Sequence, residues 1–496
     1  MSSTSQNDSP LNQTGSPESP PLSVGEKVGY GLGDTASNLY WKLFENFQLY
    51  FYTEVFGLLP AAAATMFFVT KIWDAINDPL VGFLSDRTRT AWGRFRPYLI
   101  WMAVPFAATG ILTFYTPDLS YNGKLIYAYI TYTLVFMAYT AINIPYGALL
   151  GVISPNSLER TTVSAYRFVL AFIGGLAVQL CTLPMVKFFG GTKTTIVDGT
   201  AEVVAADPQT GFFWTVVVYA LAAVILFTIT FLTTKERVVP EQKKNSSFGQ
   251  DVRDLIKNRP WIVLLFVGLF QILAGWTRGS ATAYYFIYYT DFGDVDLWFD
   301  VKSFGNFFAV GTVFGIAGMF MTKPLVRIFG NKLLMILVML GNALCMGGFY
   351  FLEPDQWQLM YGLHAFGAFI SGPMPILLWA MYADVADYSE WMTHRRATGL
   401  VFAAATFSQK LGSALGAAVP GWALAYCAFV SPVDNIPQPQ TEETIAGIIS
   451  MMSVMPAVFL ISACGIMFFY NINSNLLRQI ESELQERKAT QKTEKQ

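Results

Sequence analysis

The chain has 496 residues, 53% of them apolar and only 13% charged, with a net charge of -2. So few charges cannot cover a soluble globule of this size, and the composition also excludes a disordered chain, a collagen-like fibre and a disulfide scaffold. The near-neutral balance argues against nucleic acid, and two histidines (His364, His394) with four dispersed cysteines argue against a zinc centre, which leaves a polytopic membrane protein with no cofactor.

Residues 1–26 are rich in Ser, Pro, Asn and Gln and read as a disordered cytoplasmic tail, without the apolar middle of a secretory signal. Crossing roughly 30 Å of hydrocarbon takes about 20 helical residues. Twelve apolar stretches are long enough: 29–53, 61–85, 97–116, 124–153, 160–187, 211–233, 260–290, 302–326, 332–352, 356–384, 396–428 and 444–472. In lipid they must be helices, because an open strand edge leaves its polar backbone unpaired.

With the N-terminus inside, 23 of the 32 Lys and Arg fall in inner segments and 4 in outer loops. The positive-inside rule predicts that bias for twelve spans with both termini in the cytoplasm. The longest basic linker, 234–259, separates a six-helix half over 27–233 from a second over 260–473, and 474–496 form a cytoplasmic tail. The expected fold is therefore an all-α membrane protein of two six-helix halves that rock about a central site, the plan of the major facilitators. It is expected to be a monomer.

Ionisable groups cost about 2.5–3.5 kcal/mol each within a span, so those present usually face a cavity or a partner. In the first span Asp34, Asn38, Trp41 and Glu45 share one polar, aromatic face, the kind that lines a sugar pocket, with Tyr40 or Trp41 available for stacking. In the second, Asp74 and Asp78 are one turn apart on one face. Two like charges there call for a cation. Either a monovalent ion (Na+, Li+ or H+) sits between them, with Asn77 adding an oxygen, or Arg167 or Lys410 pairs with them. In the fourth span Thr140 and Asn143 share a face that offers ligands to the ion or hydrogen bonds to a polyol, with Tyr139 beside them. Arg167 in the fifth span suits carboxylates or vicinal hydroxyls. Lys410 is the only titratable group of the eleventh span and could compensate the aspartates in a cation-free state. Arg278 and Trp276 of the seventh span are further candidates. Asp86 and Arg87, with Arg94 and Arg96, form a candidate charge clasp, and Asp384, Asp387 and Arg395 could form its counterpart and gate the cytoplasmic side.

Several strings resemble a known family. They include Tyr30-Gly31-Leu32-Gly33-Asp34, Lys71-Ile72-Trp73-Asp74-Ala75-Ile76-Asn77-Asp78-Pro79, Asn143-Ile144-Pro145-Tyr146, Tyr166-Arg167-Phe168 and Gln409-Lys410-Leu411-Gly412. These are similar to the glycoside–pentoside–hexuronide:cation symporters, over about residues 26 to 425. The resemblance implies sugar uptake driven by Na+, Li+ or H+ through a multi-pass inner-membrane protein that is not an enzyme. It carries cation binding onto Asp74, Asn77, Asp78 and Thr140, and sugar recognition onto Asn38, Asn143, Arg167 and Lys410 with Tyr139 nearby. Asn38 and Asn143 stand where the family's type member has aspartates, and Gly147 where it has a tryptophan, which implies a different sugar or a longer glycoside. A uniporter, a lysolipid carrier or a non-transporting sugar sensor on the same scaffold are the alternatives.

Overall fold

The computed structural model describes residues 21–197, 200–237, 257–293, 300–393, 398–432, 437–473, 476–480, 482–484 and 486. The segments expected to form the N-terminal tail (residues 1–26) and the last residues of the C-terminal tail lie largely outside them, as do most of the linker and Arg395.

All twelve apolar stretches are helical along most of their length. The first group comprises α1 (Val24–Tyr50), α2 (Pro60–Arg87), α3 (Arg96–Trp101), α4 (Ala103–Thr113), α5 (Tyr121–Val152), α6 (Ser157–Gly190) and α7 (Pro208–Thr233). The second comprises α8 (Arg259–Tyr288), α9 (Phe304–Phe320), α10 (Thr322–Gly348), α11 (Trp357–Ser371), α12 (Pro373–Thr393), α13 (Thr398–Tyr426), α14 (Glu442–Met452) and α15 (Val454–Met467). Local chemistry sets their starts. Ser23 and Glu26 close a reciprocal capping box on α1. Asp207 and Asn258 cap α7 and α8, each followed by a proline in the first turn, where its missing N–H costs nothing.

Seven helical runs among the described residues are long and apolar enough to cross a membrane. Helices α1, α2 and α13 fall below that threshold although each exceeds 25 residues, at 27, 28 and 29. The reason is chemical: they carry the interior polar groups Asp34, Lys42 and Glu45, then Lys71, Asp74 and Asp78, then Gln409 and Lys410. Four stretches expected to be single helices are broken, at Met102, Met321, Gly372 and Ser453. Gly330, at φ 71°, kinks α10 between the eighth and ninth stretches.

One element departs from an all-helical expectation. Between α6 and α7, in a segment expected to be a plain outer loop, β1 (Thr192–Val197) and β2 (Thr200–Ala205) pair antiparallel with Val197 opposite Thr200. Both strands are rich in β-branched residues, and the pair between them in sequence is Asp198-Gly199, a favoured hairpin connection.

The two groups meet where α2 packs on α13, α1 on α8 and α6 on α9. Glycines permit the closest approaches. A Cβ on Gly421 of α13 would lie 2.7 Å from the Pro60 carbonyl of α2, and one on Gly305 of α9 would lie 2.4 Å from the Gln179 carbonyl of α6. Hydrogen bonds joining the groups cluster at the end of the bundle that carries the turn at 56–59. Thr53 Oγ1 and Tyr284 Oη lie 2.6 Å apart, Tyr288 Oη donates to Glu54 Oε2 at 2.7 Å, and Thr312 Oγ1 donates to Gln179 Oε1 at 2.8 Å. A single π-helical turn, Phe51–Val55, ends the first helix and carries both Thr53 and Glu54. We call this end the closed end.

Candidate functional site

Near the middle of the bundle, α2, α5 and α13 bring together four of the residues singled out in the sequence. Asp74 and Asp78 lie one turn apart on α2. Thr140 Oγ1 of α5 donates to Asp74 Oδ1 at 2.7 Å and lies 3.1 Å from Asp78 Oδ1. Lys410 Nζ, from α13 in the other group, donates to Asp74 Oδ2 at 2.9 Å and also pairs with Asp78. Of the two basic partners expected for the aspartates, Lys410 is the one that pairs with them in this structure. Arg167 is engaged elsewhere. The Asp74 side chain is only 5% exposed and that of Lys410 21%. One amine faces two carboxylates, so the cluster carries a net negative charge when all three are ionised. Asn77 is buried beside it, with its side-chain amide nitrogen unpartnered.

A second set lies on α1, α5 and α6. Arg167 Nε donates to Asp34 Oδ2 at 2.8 Å, and its guanidinium lies 5.3 Å from the centre of the Tyr146 ring. Tyr146 in turn stacks on Tyr30 at 4.7 Å. Both asparagines that replace the family's aspartates turn their amides inward: Asn38 Nδ2 donates to the Asp34 carbonyl at 2.9 Å and Asn143 Nδ2 to the Tyr139 carbonyl at 3.1 Å. Ser37 Oγ donates to Asn143 Oδ1 at 2.8 Å. These bonds hold the two amide planes and leave each amide a further N–H donor.

Between these sets lies an aromatic cage. Trp41 stacks on Tyr139 at 5.7 Å and meets Trp276 of α8 edge-on at 5.5 Å. The Lys71 ammonium sits 5.0 Å from the Trp41 ring, 4.3 Å from Phe136 and 4.7 Å from Trp276. Ring faces are negative, so three of them stabilise a desolvated ammonium. Lys71 was not among the site residues expected from sequence, because its partners come from three helices far apart in the chain. Its spacing of three residues from Asp74 was the available signal. Tyr40 is removed from the stacking candidates: fully buried, it packs on Phe106 at 4.4 Å and on Phe44.

Some contacts of the candidate charge-clasp residues lie within the described residues. Arg87 lies 3.7 Å over the Phe83 ring, and Asp384 Oδ2 accepts from Asn331 Nδ2 at 3.3 Å. Asp387 is half-buried on α12. The side chain of Asp86 and all of Arg395 lie outside the described residues. The group that holds the 88–95 loop is Glu236, from the start of the linker. Its carboxylate accepts from the N–H groups of Arg94, Phe95 and Arg96 at 2.9, 2.7 and 2.9 Å.

A bundle with polar groups gathered between two helical groups suits a carrier. Residues 29–474 match the family model described as MFS/sugar transport protein. The chain belongs to that family. Among its MFS relatives is Inner membrane symporter YicJ of Escherichia coli (strain K12), 36% identical, with 93% of this chain and 95% of that protein covered. The Isoprimeverose transporter of Lactiplantibacillus pentosus is 32% identical over 82% of this chain and 81% of its own length. In fold, this MFS chain is similar to the crystal structure of the D-xylose-proton symporter, with a TM-score of 0.55 at 15% identity, covering 90% of this chain and 96% of that one.

Proposed function

We propose that this member of the MFS/sugar transport family is a cation-coupled symporter that carries a glycoside or small oligosaccharide inward by alternating access. The observation that carries this reading is the Lys410 bridge. An amine from the second helical group offsets half the charge of a carboxylate pair on the first, and a monovalent cation can replace it in kind. Asp74, Asp78 and Thr140 supply hard oxygen ligands suited to Na+ or Li+, and a proton on either acid meets the same need. Cation entry frees Lys410. The freed amine and Arg167 then address sugar hydroxyls while Trp41 and Tyr139 stack on the ring. A lone cation or a lone sugar leaves polar groups buried and unpaired, so only the empty or doubly loaded carrier changes face.

In this reading the two helical groups are the six-helix halves of a twelve-span monomer in the inner membrane, with both termini cytoplasmic. The closed end then faces outward, and its hydrogen bonds must break when the site opens to that side. The word symporter in one relative's name and the sugar in another's support the reading. The test is accumulation of labelled glycosides in proteoliposomes under an imposed Na+ or H+ gradient. Gradient-driven accumulation is expected from the native protein and only downhill equilibration from Asp78→Asn. Full accumulation by that variant would overturn the assignment.

A further inference from the structure

A cavity of about 240 Å3 lies between the two helical groups, walled by α1 and α6 on one side and by α8 to α11 on the other. It is separate from the site described above: Asp74, Asp78, Lys410, Trp41 and Trp276 are not on its wall. At about 30 Å3 of liquid volume per water, it has room for roughly eight waters, or for a small ion that keeps part of its hydration shell.

The charges on that wall do not balance. Lys42 and Glu45 satisfy each other at 2.6 Å, which leaves Arg278 as an excess positive charge. Arg278 is only 7% exposed, and no carboxylate among the described residues pairs with it. It donates through Nη1 to the Met452 carbonyl at 3.1 Å and lies 4.2 Å from the Phe349 ring. Most of its N–H groups are therefore without an acceptor among the described residues. Asn46 of α1, 4% exposed and on the same wall, also leaves its amide nitrogen without one. His364 completes the polar wall. Its imidazole bonds to the Phe307 backbone and leaves Nε2 unpartnered, an acceptor for a water rather than for an anion. A buried cation and an unmet donor, one from each helical group, thus share a space that holds an ion with several waters. Such a pair calls for one negative charge.

We infer that this cavity binds a small monovalent inorganic anion, of the kind of chloride, held by Arg278 of α8 and Asn46 of α1 with part of its water shell. One excess positive charge is met by one negative charge. A divalent anion would overshoot it and would also face the Glu45 carboxylate. Keeping several waters lowers the cost of taking the ion out of bulk solvent. Because its two protein donors come from different helical groups, the bound ion ties the groups together and stabilises the arrangement seen here. The inference goes beyond the transport reading and does not rest on it, since neither a sugar nor a coupling cation enters the argument.

The test is calorimetric titration of the purified full-length protein with sodium chloride. The protein is held in sodium gluconate at the same sodium concentration, so that cation binding does not contribute. Thermal unfolding is followed in the same two media. The native protein is expected to bind one chloride saturably and to unfold at a higher temperature in chloride than in gluconate. Arg278→Gln should weaken chloride binding at least about tenfold, the loss of a charge-assisted contact, and cancel the chloride-dependent rise in unfolding temperature. Asn46→Ala should weaken binding about threefold, the loss of a neutral donor. Arg278→Lys should still bind chloride, because a spherical ion needs the charge and not the planar fork. Bromide should compete with chloride, and sulfate should not. Absence of saturable chloride binding by the native protein overturns the inference, as does sulfate that competes as strongly as chloride. So does an Arg278→Gln protein that is less stable in both media but keeps the chloride effect, which marks a role confined to the Met452 carbonyl. Should Arg278→Gln not fold, the native titration with Asn46→Ala and Arg278→Lys still decides.

Discussion

The midplane link and the closed-end link between the two helical groups are built from opposite chemistry. At the midplane one amine bridges two carboxylates. At the closed end the hydroxyls of Tyr284 and Tyr288 meet the Thr53 hydroxyl and the Glu54 carboxyl, with no ion pair there among the described residues. A charged link in a low-dielectric setting separates only when another charge takes its place, because an orphaned ion there costs several kcal/mol. Hydrogen bonds of this kind cost about 1–3 kcal/mol net to break. The first arrangement therefore suits a step conditional on ion exchange. The second suits a door that opens readily once the first has changed.

The largest effect expected from this contrast is at the carboxylates. Asp74→Ala or Asp78→Ala should abolish gradient-driven accumulation in proteoliposomes, since the one remaining carboxylate is balanced by Lys410 and no longer calls for a second cation. Retained accumulation would erase the distinction between the two links. Next comes the stacking platform. Trp41→Ala should weaken sugar binding by about tenfold, the effect of losing about 1.4 kcal/mol of aromatic contact, while calorimetric cation affinity stays put. A fall in both would mean that the cage positions Lys71 beside the ion site as well as holding sugar. The smallest effect belongs to the closed end. Tyr288→Phe removes one hydrogen bond and should raise the population open at that end by about fivefold, read from cysteine labelling of a residue beneath it. A change as large as that at Asp78 would show that the closed end, not the midplane, controls the cycle.

Much of this contrast was legible in the sequence. Apolar stretches of sufficient length announced helices α1 to α15. The spacing of Asp74 and Asp78 announced a shared face, and the isolation of Lys410 in its span announced a group in search of a carboxylate. The cage around Lys71 was not legible, because Trp41, Phe136 and Trp276 come together only through packing. Nor was the closed end, since Glu54 faces α8 through a π-helical turn that no periodicity marks. The hydrogen bonds of Asn38 and Asn143 to backbone carbonyls one turn earlier carried no sequence signal. The hairpin at 192–205 did leave a signal, β-branched runs about an Asp-Gly pair. In a chain read for membrane helices that signal is easily passed over as loop.

The central claim is that Lys410 and the transported cation compete for the same two carboxylates. Calorimetric titration of Lys410→Gln with whichever of Na+, Li+ or H+ drives uptake tests it most directly. Removal of the competing amine should tighten cation binding by about tenfold or more over the native protein. Unchanged or weaker binding would contradict the account, because the amine would then be a support for the ion site rather than its rival.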